Sequence, residues 1–151
     1  MIRSRYYCKV SSMFRQILIP TDFSAKIVGP LEMASDLAKK YKSTIHLFHV
    51  IEIIPEATFE EFEDFYKKLE KKAQNQMKNI ISEYAGKSVL LLHHISYGNR
   101  VEEILKFIKQ YEIELVIMNS HKAEKKNPLR DWGTISYRVA LLSESPVMLV
   151  K

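Results

Sequence analysis

A chain of 151 residues, 46% hydrophobic and 27% charged, has the make-up of one globular domain, which excludes the disordered and collagen-like classes. Its clean apolar runs, such as residues 89–92, fall far short of the roughly 20 residues that span a bilayer, so no membrane partner is expected. The lone Cys8 cannot close an internal disulfide and points to the cytoplasm, while the net charge of +5 is concentrated near the start, where Arg3, Arg5 and Lys9 stand without an acid.

Residues 1–12 therefore read as a basic N-terminal extension, without the apolar stretch and cleavage site of a signal peptide, ahead of one domain over residues 13–151. With most of the excess charge in that extension, nucleic acid is not expected as a partner. Residues 17–19, closed by Pro20, form a branched apolar run that predicts a buried strand. Ile27, Leu31, Ala34, Ala38 and Tyr41 recur at helical spacing. Proline inside a helix costs about 3 kcal/mol, so this helix is placed from near Gly29 with Pro30 in its first turn.

Residues 44–51 read as a second strand. Thr58 and Glu61 have the spacing of a capping box ahead of a long aromatic-rich helical stripe that reaches Tyr84 and ends at Gly86. A third strand is predicted over residues 89–95, and Asn99 with Glu102 caps a helix whose stripe is Val101, Ile104, Leu105 and Ile108. Residues 115–118 form strand four, 135–142 a short helix and 147–150 strand five. Apolar strands without polar alternation, separated by helices, indicate an open α/β sandwich with a mostly parallel sheet covered on both faces. Strand order does not follow from this pattern.

Ligands of open α/β sheets bind beyond the carboxyl ends of strands, where strand order reverses. The candidates are thus Pro20, Thr21, Asp22, Phe23 and Ser24 after strand one, and Asn119, Ser120, His121 and Lys122 after strand four. The longest non-periodic connection then leads to Gly133, Thr134, Ile135 and Ser136, which open the last helix with free amides, two hydroxyls and the positive end of a helix dipole. That arrangement suits a phosphate, and the same hydroxyls also suit plain helix caps. Walker, dinucleotide-glycine, nucleophile-elbow and zinc-protease patterns are absent, and Asp22 lacks the clustered acids of a phosphoacceptor domain. His46 and His49 lie three apart on one strand, and His93 and His94 are neighbours, so neither pair shares a face; all four read as packing or surface residues, with no metal site.

The run from Ile17 to Ser24, His49 and Val50 closing strand two, Gly98, the run from Leu115 to His121, Gly133 to Ser136 and the terminal run from Pro146 to Val150 together resemble the universal stress protein family, over residues 14–151. The resemblance implies a doubly wound five-stranded parallel sheet of the adenine nucleotide alpha hydrolase type, in order 3-2-1-4-5. It also implies a cytoplasmic homodimer paired through the last strand, Val147 to Val150, and stress-related regulation rather than a metabolic reaction. Family members that bind ATP carry Gly-x-x-Gly-x9-Gly-Ser/Thr directly after strand four. Here Asn119 and Lys122 stand at the first two glycine positions, Gly133 and Thr134 form the closing pair, and ten residues rather than nine precede it.

For ATP or AMP, with Mg accompanying ATP, the implied contacts are Pro20, Thr21 and Asp22 at the nucleoside end and the backbone of Val50 beside adenine. Ser120, His121, Thr134 and Ser136 stand toward the phosphates, and Met118 and Ile135 complete the implied set. Asparagine tolerates the left-handed backbone that a loop glycine adopts. Lys122 either blocks close approach of the backbone to phosphate or offers its ammonium to it. The sequence thus supports a dimeric stress-response regulator with a weak adenine-nucleotide site, or a protein-interaction scaffold that has lost nucleotide binding. A slow ATPase is the most an enzyme reading allows, because no residue stands out as a general base.

Overall fold

The computed structural model describes residues 13–53, 62–120 and 134–151. Five strands, β1 (Gln16–Pro20), β2 (Thr44–Ile51), β3 (Leu90–Tyr97), β4 (Leu115–Asn119) and β5 (Val147–Val150), pair in parallel in the order β3-β2-β1-β4-β5. Four α-helices lie among the described residues: α1 (Val28–Tyr41), α2 (Glu63–Tyr84), α3 (Arg100–Gln110) and α4 (Ile135–Leu142). A 3₁₀ turn at Ala25–Ile27 leads into α1 and leaves Pro30 in its first turn, where no intrahelical donor is lost.

Strand alternation sorts the core into two layers. Ile17, Ile19, Ile45, Leu47, Leu115 and Ile117 face α1 and α2, meeting Leu31, Ala34 and Ala38 from one helix and Met77 and Tyr84 from the other. Leu18, Phe48, Val50, Val116 and Met118 face α3 and α4, meeting Val101, Ile104, Phe107, Ile108 and Val139. Central β1 is covered on both sides, which is why Ile17, Leu18 and Ile19 are all fully buried and why its sequence shows no polar alternation. Each such side chain contributes about 1.5 to 3 kcal/mol by leaving water.

Most element ends fall within two residues of their expected places. β3 continues to Tyr97 rather than stopping at residue 95, because Gly98 N–H donates to the Ile51 carbonyl (3.0 Å), Ser96 Oγ to Glu103 and Tyr97 Oη to Glu70. Asn99 caps α3 through its side-chain oxygen, as its spacing predicts. The Thr58 and Glu61 capping box lies outside the described residues, among which α2 begins at Glu63. No helix among them is long and apolar enough to cross a membrane.

The chain builds β1, β2 and β3 outward in one direction, then returns to place β4 on the other side of β1. That reversal is the switch point of the sheet. The β1–β4 ladder registers Ile17 with Leu115 and Leu18 with Val116 and goes no further, while Pro20 supplies no N–H. The carboxyl ends of the two strands therefore border an opening.

Candidate functional site

A cavity of about 370 Å³ occupies this opening. Pro20, Thr21 and Asp22 form its β1 side, Met118 and Asn119 its β4 side, and Thr134, Ile135 and Ser136 bring in the start of α4. Phe48 and Val50 of β2 and Ile104 of α3 supply apolar surface, and Ser24, Lys26 and Arg100 complete the lining. An apolar body with a few polar groups converging on it, at the lower end of the roughly 300–1,000 Å³ range of small-molecule sites, suits one compact ligand.

The β1 side is held by short hydrogen bonds. Thr21 N–H extends the ladder past Pro20 by donating to the Phe48 carbonyl (2.8 Å), and the Thr21 carbonyl accepts from His49 Nδ1 (2.8 Å). Thr21 Oγ1 accepts from the Phe23 amide and Asp22 Oδ1 from the Ser24 amide, each at 2.9 Å. These bonds bend the chain through Phe23, whose φ of +62° lies in the left-handed region. Partial burial acts to raise the Asp22 pKa, but the Ser24 amide and hydroxyl, its own amide and the Arg100 guanidinium outweigh it and hold the carboxyl below its ordinary range. Asp22 is therefore an anion at neutral pH, able to accept from ligand hydroxyls.

At the α4 side, Thr134 is the N-cap, its Oγ1 accepting from the Tyr137 amide (3.4 Å) and lying 3.4 Å from Ser136 Oγ. The capping use of this threonine and its place in the cavity coexist. The amides of the first turn of α4 and the Ser136 hydroxyl give this end a partial positive character.

Of the residues expected at the site, Pro20, Thr21, Asp22, Val50, Met118, Asn119, Thr134, Ile135 and Ser136 line this one cavity. Ser120 is not in the lining; its amide donates to the Val150 carbonyl (2.7 Å) and extends the β4–β5 ladder. His121, Lys122 and Gly133 lie outside the described residues. Ser24, a candidate from the segment after strand one, also lines it, whereas sequence reasoning missed Lys26, Phe48, Arg100 and Ile104. Phe48 was within reach, because it precedes Val50 by two on a strand and so shares its face. Arg100, paired with Glu52 at 3.2 Å, enters from the amino end of α3, and no local pattern marks it.

Two of the histidines, His46 of β2 and His94 of β3, meet across strands. His46 Nδ1 lies 3.0 Å from His94 Nε2, and His46 Nε2 lies 2.6 Å from Gln16 Oε1, under Phe107 and Tyr111. Among the described residues, no group of three or more His, Cys, Asp or Glu is arranged to hold a metal ion.

The family model described as the universal stress protein family matches residues 13–151. The chain is 32% identical to universal stress protein MJ0577 of Methanocaldococcus jannaschii, over 94% of this chain and 98% of that protein. The solved structure of MJ0577 superposes with a TM-score of 0.68 at 34% identity, covering 92% of this chain and 96% of that one. A universal stress protein from Archaeoglobus fulgidus in complex with dAMP shares the fold at a TM-score of 0.67 and 14% identity, covering 92% and 99% of the two chains. Another, in complex with cAMP, does so at 0.63 and 15%, covering 93% and 98%.

Proposed function

The chain belongs to the universal stress protein family, and from that premise we propose that it is a stress-response regulatory protein that takes one adenine nucleotide, AMP or ATP, into the β1/β4 crevice. The observation that carries this reading is the cavity itself. One carboxylate, Asp22, stands at one side, the hydroxyl and amide groups that open α4 stand at another, and apolar Phe48, Val50 and Met118 lie in the same lining. A nucleotide has the matching parts: ribose hydroxyls for the carboxylate, a flat base for the apolar surface and phosphate for the helix start. The dAMP and cAMP complexes of fold relatives support the same ligand class.

In this reading Asp22 accepts from the ribose, the Val50 backbone meets adenine, and Thr134, Ser136 and the first α4 amides bind phosphate. Mg²⁺ would arrive with ATP, held chiefly by the phosphates. Calorimetric titration of AMP and ATP tests it. The expected dissociation constant lies below about 100 μM, equivalent to about 5.5 kcal/mol. Asp22→Ala weakens binding by roughly ten- to a hundredfold, the worth of a hydrogen bond to a charged group. Absence of heat at millimolar nucleotide contradicts the reading and favours the scaffold function, for which Asn119 and Lys122 at glycine positions speak.

We also propose a homodimer paired through β5. This edge strand leaves Met148 39% exposed, and Leu141 at the nearby end of α4 is 70% exposed, an apolar edge of the kind that proteins cover. Light scattering is expected to give twice the 17.7 kDa chain mass. Met148→Lys is expected to shift the species to the monomer mass, and a wild-type monomer at tens of micromolar would contradict the dimer.

A further inference from the structure

Resting on the nucleotide reading for its functional meaning, we propose that His49 is a positioning residue: it clamps the Thr21 carbonyl and so aims Asp22 into the crevice without touching the ligand. His49 is absent from the cavity lining, whereas its strand neighbours Phe48 and Val50 both belong to it. Alternation along β2 turns the His49 ring to the opposite face, where it packs on Phe23 with ring centroids 4.4 Å apart. His49 therefore makes no contact with a ligand in the cavity, and its hydrogen bond acts there through the loop.

The clamp is specific in its chemistry. A carbonyl oxygen only accepts, so Nδ1 is the protonated nitrogen of this imidazole and donates to Thr21 at 2.8 Å. Together with the Thr21 amide on the Phe48 carbonyl, this fixes both ends of the Thr21 residue against β2. The next two residues are Asp22 and Phe23, and the left-handed Phe23 persists only where its surroundings over-determine it. The two amides that close the loop, Phe23 on Thr21 Oγ1 and Ser24 on Asp22 Oδ1, depend on where Thr21 is held. An imidazolium also keeps its Nδ1–H, so the clamp does not depend on the protonation state of the ring.

Two substitutions separate the hydrogen bond from the packing. His49→Phe keeps a ring beside Phe23 and removes the donor, while His49→Asn removes the ring and places an amide N–H near the position of Nδ1. In ligand-free protein, His49→Phe is expected to speed amide hydrogen exchange at Phe23 and Ser24 by roughly tenfold, and His49→Asn by less than about threefold, with Val101 and Glu102 unchanged in both. Equal protection in wild type and His49→Phe overturns the clamp, as does equal loss in both variants. The second readout is the preference for AMP over 2′,3′-dideoxy-AMP, measured by calorimetry. It is expected to fall about threefold or more in His49→Phe and to recover in His49→Asn, with affinity for the dideoxy compound unchanged. A preference untouched by His49→Phe, or equal weakening toward both compounds, overturns the aiming of Asp22. Wild-type protein that binds neither compound overturns the nucleotide reading instead, and the exchange experiment still decides the clamp.

Discussion

His46 is 4% exposed and hydrogen-bonded through both ring nitrogens. Gln16 Oε1 accepts from Nε2–H, which leaves Nδ1 as an acceptor for His94 Nε2–H. A proton added at Nδ1 would set two N–H groups face to face. Burial, and secondarily the charge of His94, lower the His46 pKa to about 4. The unfolded chain therefore binds this proton more readily than the folded one, so the stability is complete above about pH 6.5 and is lost as pH falls toward 4. Between pH 7 and 4.5, urea unfolding is expected to cost wild type roughly 2 kcal/mol more stability than it costs His46→Leu. Parallel pH curves for the two proteins would contradict this. The pair was not legible in the sequence, because spacing along a strand reveals which face a side chain takes and not which residue of the next strand it meets. The same gap hid the bond from His49 to Thr21, residues 28 apart in the chain.

Elements were far more legible. Helical spacing located α1, α3 and the body of α2, and apolar runs located the strands, because each signal is local and each element buries the face its pattern presents. The Asn99 cap is the clearest case: its Oδ1 accepts from the amides of Val101 (3.1 Å) and Glu102 (3.3 Å), two donors that the start of a helix leaves without partners. Asn99→Ala is expected to cost about 1 kcal/mol, lowering the melting temperature by roughly 2 to 4 °C in a chain of this size. An unchanged melting temperature would mean that the cap contributes nothing. The end of β3 was misjudged because it is set by tertiary partners: Ser96 by Glu103 on α3 and Tyr97 by Glu70 on α2. Gly98 just beyond has φ +140°, and a Cβ there would come within 3.1 Å of Glu103 Cγ, so this glycine lets α3 start close against the strand.

At the scale of the molecule, the crevice depends on strand order. Asp22 and Asn119 are 97 positions apart, and only the insertion of β1 between β2 and β4 brings their loops to one cavity. Periodicity supplied the strands without their order; the order came with the family resemblance, and the sheet agrees with it. Arg100 and Lys26 joined the lining from elements whose approach no local motif encodes. Amide chemical-shift mapping with AMP tests the occupancy of the crevice most directly. The expected result is saturable shifts at Thr21, Asp22, Val50, Asn119, Thr134 and Ser136, with His94, Phe107 and Tyr111 unmoved. Shifts confined to that second group, or none at millimolar AMP, would contradict it.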